Sequence, residues 1–253
     1  MKSIPPKQKA TINGETLEYV IAGSGNPAIV LINGSGGPIE GWHKVLEPLA
    51  TLSMVFAYDR PGVGGSSKPL TPQTGDVMVD SLRALLCHAK VAPPYILVGH
   101  SLGGLIVNLY ARLYPTEISG IVLLDATAPE DISVMAKHET SVQRLLKRVI
   151  DIVFGKNEFA ETRHVSRTVE LINQAAAFPS VPLIVVTGGK PAMSWATAPA
   201  ARNARAQHQR QLAALSPTGK QVIAKQSGHF PQFSEPDVVV ESVREVMAVM
   251  ARE

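Results

Sequence analysis

Three observations predict a doubly wound α/β fold with a mostly parallel eight-stranded sheet, an N-terminal antiparallel hairpin and a small helical cap. First, short β-branched runs alternate with longer helical patterns along most of the chain, the order that builds parallel sheets flanked by helices. Second, the central runs Ile29-Val30-Leu31-Ile32, Ile96-Leu97-Val98, Ile121-Val122-Leu123-Leu124 and Leu183-Ile184-Val185-Val186 are continuously apolar, as in strands covered on both faces. Third, the first two runs flank Asn13-Gly14, the strongest short signal for a two-residue hairpin turn.

Strands are expected over Lys9–Ile12, Leu17–Ala22, Ala28–Ile32, Met54–Tyr58, Tyr95–Val98, Gly120–Leu124, Leu183–Thr187 and Gln221–Ala224. Between them fall helical patterns. Asp76–Lys90 carries Val77, Leu82, Leu85 and Leu86 on one side, Leu102–Leu113 is stopped by Pro115, and the last helix runs from about Asp237 to Ala251. From Ala126 to Ser180 no strand is evident. There Val142, Leu145, Leu146, Val149, Ile150 and Val153 recur at helical spacing, one face of an amphipathic helix. The expectation is a single domain, 1–253, with residues 130–178 forming a helical cap within it.

Composition narrows the class. Of 253 residues 45% are hydrophobic and 18% charged, which excludes intrinsic disorder. A net charge of +3 is too weak a bias for a nucleic-acid partner. No apolar run approaches the roughly 18 residues that span a bilayer, and Met1–Ala10 lacks the apolar core of a signal peptide. A cytoplasmic protein without membrane insertion, a monomer or weak homo-oligomer, is expected. The lone Cys87 forbids an internal disulfide and is expected to pack as a small apolar residue. Between Leu171 and Ser234 there is no acidic residue but six basic ones. The helical pattern Ala200–Leu215, with Arg202, Arg205 and Arg210, reads as a solvated face.

The chemistry starts at Gly99-His100-Ser101-Leu102-Gly103, a G-x-S-x-G motif between an apolar strand and a helix. A turn that sharp needs small residues two before and two after the serine, and it lifts the hydroxyl clear of the sheet at a helix N-terminus. Two further loops follow predicted strands: Asn33-Gly34-Ser35-Gly36-Gly37-Pro38 and Asp59-Arg60-Pro61-Gly62-Val63-Gly64-Gly65-Ser66. With these three motifs in this order, nearly the whole chain resembles the α/β-hydrolase fold enzymes. The first loop stands where that family usually has a His-Gly oxyanion loop, with Asn33 in place of the histidine. The second matches the family's D-x-P-G-x-G-x-S loop.

The resemblance implies the rest of the site. Ser101 is the nucleophile, and the backbone N–H groups of Ser35 and Leu102 form the oxyanion hole. His229, in Ser227-Gly228-His229-Phe230 before the last helix, is the base. His100 is expected to point away from the serine. Many relatives carry the acid after the seventh strand, but this chain reads Gly188-Gly189-Lys190-Pro191 there. Asp125, at the end of the sixth strand, is the replacement, as in the haloalkane dehalogenase-like branch and some lipases. It keeps the order Ser, Asp, His, with Glu130 and Asp131 as fallbacks. Gly34 and Trp195 are candidate substrate contacts; Met193 and Trp195 read equally as pocket wall or core.

No dinucleotide fingerprint, P-loop, H-E-x-x-H, S-x-x-K or cysteine cluster occurs, so no cofactor or metal is implied. The expected activity is hydrolysis of a small carboxylic ester through an acyl-enzyme. Lyase, perhydrolase or acyltransferase use of the same residues, and ligand binding on a hydrolase scaffold, remain as alternatives.

Overall fold

The computed structural model describes residues 4–132, 158–190 and 199–250. Strands β1 (Gln8–Ile12) and β2 (Glu15–Ala22) pair antiparallel. Asn13 and Gly14 between them take φ of 51° and 84°, the double left-handed geometry whose twist matches the flanking strands. β3 (Ala28–Ile32), β4 (Val55–Tyr58), β5 (Tyr95–His100), β6 (Ile118–Leu124), β7 (Leu183–Gly188) and β8 (Lys220–Ala224) complete one eight-stranded sheet, ordered β1-β2-β4-β3-β5-β6-β7-β8. β2 is antiparallel to β4, and every pairing from β4 through β8 is parallel. The strand limits lie within two residues of those expected.

The continuous apolar runs have the predicted cause. Along each central strand, alternate residues enter two different cores. Val30, Ile32, Leu97, Ile121, Leu123, Leu183 and Val185 face one side. Ile29, Leu31, Ile96, Val98, Val122, Leu124, Ile184 and Val186 face the other. The first core is covered by α2 (Gly75–His88) and α3 (Gly103–Leu113) through Val79, Leu82, Leu85, Leu105 and Ile106. α4 (Val165–Gln174) and α5 (Pro199–Ala213) add Ile172 and Leu212. The second core is closed by α1 (Leu46–Ala50) and by α6 (Pro236–Met250), through Leu49, Val239, Val243 and Val246. Each such side chain contributes about 1.5–3 kcal/mol when fully buried, so the sheet is held from both faces.

Cys87 departs from expectation. It is exposed, because the inward face of α2 is taken by Met78, Val79, Leu82, Leu85 and Leu86 and position 87 lies about 100° around the helix from the last of these. The expected helix Val142–Val153, together with Met193 and Trp195, lies outside the described residues. Of the described part of 130–178, a short 3-10 turn at Glu161–Arg163 leads into α4, whose Ile172 joins the first core. No helix among the described residues is long and apolar enough to cross a membrane. Because the parallel strands share one direction, their carboxyl ends gather on one edge, where ligands of open α/β sheets bind. The loops after β3, β5, β6 and β8 all open there.

Candidate active site

Ser101 sits between β5 and α3 with φ of 51°, in the left-handed region that costs a non-glycine residue about 1–3 kcal/mol. The turn closes because its flanks are glycine. A Cβ on Gly99 would lie 2.7 Å from Val107 and 2.8 Å from the Gly103 carbonyl, and one on Gly103 would lie 2.2 Å from the Ile32 carbonyl. The strain is held in place by Ser101 N–H donating to Leu124 O (3.2 Å) and Thr127 N–H donating to Ser101 O (2.9 Å).

Three predicted side chains come together here. His229 Nε2 lies 3.0 Å from Ser101 Oγ, and His229 Nδ1 lies 2.7 Å from Asp125 Oδ2. A carboxylate only accepts, so Nδ1 carries the proton and Nε2 is left to accept from the serine hydroxyl. Asp125 is 5% exposed and also sits in the left-handed region, at φ 39°. Burial pushes its pKa up, but the His229 bond and the charge of Arg205 outweigh it and hold the carboxyl below its usual range. At the end of β7, Gly188 donates its N–H to Asp125 Oδ1 at 3.3 Å. The strand that lacks the carboxylate therefore helps to hold the one supplied by β6.

The basic helix is not simply a solvated face. From α5, Arg205 Nη2 donates to Asp125 Oδ2 (2.9 Å) and to Asp125 O (2.8 Å), and its Nη1 donates to Asp131 Oδ2 (3.0 Å). Asp131 Oδ1 is 2.7 Å from His208 Nδ1, and Asp131 Oδ2 also accepts the Ala128 N–H. Gln209 donates to Ala126 O at 2.6 Å. Asp131 thus braces this network and does not reach His229. Arg205, His208, Gln209 and Leu212 fall at i, i+3, i+4 and i+7, so they form the inward stripe of α5. That spacing was visible in the sequence; its polar residue types disguised it as surface.

The loop after β3 is built around a second buried charge pair. Arg60 (2% exposed) donates to Asn33 O (2.8 Å) and Gly34 O (2.6 Å). It also bonds Glu161 through Nε at 2.6 Å and Nη2 at 3.1 Å. Glu161 in turn accepts the Gly36 N–H at 3.0 Å. Burial opposes ionisation of both partners, yet their mutual attraction raises the Arg60 pKa and lowers that of Glu161. The loop is pressed onto Ser101: a Cβ on Gly34 would stand 2.9 Å from Ser101 Cβ. Asn33 faces inward and donates to Pro38 O at 2.6 Å. Asp59 accepts the N–H groups of Ile39 (2.7 Å) and Gly65 (3.1 Å), tying the two glycine-rich loops together. Glu161→Gln removes one charge of a dry pair and leaves Arg60 uncompensated. The expected loss is about 3–5 kcal/mol of folding stability, read by urea denaturation against the wild type.

A cavity of about 380 Å³ opens at Ser101, bounded by Asn33, Gly34, Pro38, His229, Phe230 and Phe233 among others. A larger hollow of about 790 Å³ lies at the amino ends of β5 and β6, beside Arg83, Tyr95 and Glu117, and contains none of these residues. Gly34 lines this cavity, whereas Trp195 is outside the described residues.

His100 turns away from Ser101. Its Nε2–H donates to the His229 carbonyl at 2.8 Å, which anchors the loop that carries His229. Burial pushes the His100 pKa down to about 4, only partly opposed by that bond. The unfolded chain therefore binds a proton here before the folded one does. Stability should be full above about pH 6.5 and fall as the pH drops towards 4, by on the order of 3 kcal/mol. Urea unfolding at pH 7 and 4.5 checks this, and His100→Gln should flatten the slope across that window.

Fold and site together define the class, and comparison with known proteins agrees. The chain belongs to the alpha/beta hydrolase fold family, whose model matches residues 27–198. The uncharacterized protein YqjL of Bacillus subtilis is 27% identical over 221 residues, 86% of this chain and 82% of its own length. The dihydrolipoyllysine-residue acetyltransferase component of the acetoin cleaving system of Pseudomonas putida is 34% identical over 121 residues, 47% of this chain but only 32% of that protein. Among solved structures, the enol-lactonase from Burkholderia xenovorans LB400 superposes with a TM-score of 0.65 at 22% identity, covering 95% of this chain and all of that one. At that identity the likeness is one of fold.

Proposed function

We propose that this protein is a serine hydrolase that cleaves a small carboxylic ester through an acyl-enzyme. The observation that carries the reading is the Ser101–His229–Asp125 chain of hydrogen bonds at 3.0 and 2.7 Å, on a strained turn at the carboxyl edge of the sheet. A serine hydroxyl is a weak nucleophile and needs such a base. Ser101 Oγ attacks the ester carbonyl carbon while His229 Nε2 takes the hydroxyl proton. The tetrahedral oxyanion is received by the N–H groups of Ser35 and Leu102, donors of a kind worth about 10²–10³ in rate each. The imidazolium, steadied by Asp125, then gives its proton to the leaving alcohol as the C–O bond breaks. Water repeats the sequence: His229 takes its proton, the acid departs and Ser101 is restored.

Other features support the same reading. The 380 Å³ cavity, walled by Phe230, Phe233 and Pro38, suits a small, largely apolar acyl or alcohol group. Within the segment expected to form a cap, Glu161 accepts the Gly36 N–H and so couples that described part to the loop proposed to hold the oxyanion. In this reading the nucleophile, base and acid come from this chain, and the reactants are a small-molecule ester and water.

The test is fluorophosphonate labelling with peptide mass spectrometry, beside hydrolysis of p-nitrophenyl acetate, butyrate and octanoate. A label on Ser101 and turnover favouring the short esters is the expected result, with activity falling on acidification because a protonated imidazole cannot accept the serine proton. Product partitioning to an added alcohol would move the reading to acyl transfer. A well-folded chain with neither label nor turnover would leave the hydrolase reading without support.

A further inference from the structure

We propose that Arg205 is a positioning residue of the Ser101–His229–Asp125 site, holding Asp125 as an oriented anion and extending the site's working range to lower pH. The inference rests on the serine hydrolase reading above. Its basis is geometric. One oxygen of Asp125, Oδ2, accepts from both His229 Nδ1 (2.7 Å) and Arg205 Nη2 (2.9 Å). The same guanidinium nitrogen grips the Asp125 main-chain carbonyl (2.8 Å). Arg205 therefore fixes the residue at two points where its backbone is in the left-handed region. Its other nitrogen takes Asp131, which bonds His208. A permanent cation thus stands between two His–Asp pairs and shares its charge between them.

That charge has a definite effect. The acid must stabilise the imidazolium that forms on His229, and a fixed cation on the same carboxylate oxygen opposes that protonation. The base then stays free to accept a proton in more acidic medium. Other charged and titratable groups around His229, among the described residues, enter the balance. From β5 comes His100, with its ring centroid 4.9 Å from that of His229. Asp125 and Asp131 come from the segment that follows β6, and Arg205 and His208 from α5. On the flanks, Glu235 accepts from Gln226 N–H and the Ser227 hydroxyl, and Lys44 donates to Phe233 O. Only Arg205 puts a positive charge directly on Asp125 in the bonds described. A charge within about 4–6 Å moves a titration by about 1–3 units. Arg205 is 34% exposed and partly offset by Asp131, so its effect is smaller than that of a fully buried charge.

The experiment is the pH profile of kcat/KM for p-nitrophenyl acetate between pH 4.5 and 9, for wild type, Arg205→Gln, Arg205→Lys and Asp131→Asn. In Arg205→Gln the acid limb should move to higher pH, so the ratio of activity at pH 5.5 to that at pH 8.5 falls about three- to tenfold. Arg205→Lys should keep the limb of the wild type, because the charge remains. Asp131→Asn, which removes the offsetting carboxylate, should move the limb the other way. The opposite signs keep the idea testable even if one variant fails to fold. A uniform loss at all pH values with an unmoved limb in the Gln and Asn variants would reduce Arg205 to scaffolding and overturn the proposal. NMR titration of the His229 ring in wild type and Arg205→Gln needs no turnover. A displaced midpoint in a chain that neither labels nor turns over would uphold Arg205 while the hydrolase reading failed, and coincident midpoints would overturn it.

Discussion

Ser101→Ala should eliminate fluorophosphonate labelling and lower ester turnover by about 10⁶-fold in kcat, the scale seen when the serine is removed from a unit of this kind. Only the hydroxyl is lost; His229 and Asp125 keep their contact at 2.7 Å. Pre-steady-state release of p-nitrophenol checks it, since a burst requires the acyl-enzyme. A companion variant separates chemistry from strain. At φ 51° alanine still bears the left-handed penalty, whereas glycine does not. Ser101→Gly should therefore be as inactive as Ser101→Ala yet unfold at higher urea, by about 1 kcal/mol. Equal stabilities would mean that the turn is not strained at the serine.

Asp125→Asn should cost up to about 10⁴ in kcat while preserving the fold, by analogy with the buried acid of serine proteases. The reason is the charge. Arg205 and His229 Nδ1 bond the same Asp125 oxygen, Oδ2, so an asparagine keeps its oxygen there and turns its NH₂ towards the Gly188 N–H. The neutral amide no longer stabilises the imidazolium that forms when His229 takes the Ser101 proton. Asparagine tolerates φ of 39° better than most residues, so far-UV CD and the urea midpoint should change little. KM should hold while kcat falls. Full activity in this variant would move the acid role away from Asp125 altogether.

Much of the site was legible because it is written in short, local motifs. Gly99, Ser101 and Gly103 announce a turn that only small flanking residues allow, and the close approaches of Gly99 to Val107 and of Gly103 to Ile32 O explain why. His229 follows the last strand, and Asp125 was found because the end of β7 offers no carboxylate. The strands were legible for a related reason. Burial on both faces leaves β3, β5, β6 and β7 almost no polar residue, so their composition marks them out.

The supporting shell was not legible. Arg60 and Glu161 are 101 positions apart, and Arg205 and Asp125 are 80 apart. Neither pairing has a local signature, and in a sequence Glu161 and Arg205 look like ordinary surface charges. Arg205 was read as solvated for that reason, and Cys87 as packed because helix phase near a C-terminus is weakly constrained by pattern alone.

The division has one physical origin. Backbone geometry and apolar burial are set by neighbours along the chain, so the sheet, the hairpin at Asn13-Gly14 and the turn at Ser101 could be read directly. Charge pairing depends on which distant loops the sheet brings to its carboxyl edge. The partnerships of Arg60 with Glu161 and of Arg205 with Asp125 and Asp131 were therefore decided only when β3, β4, β6 and α5 packed together.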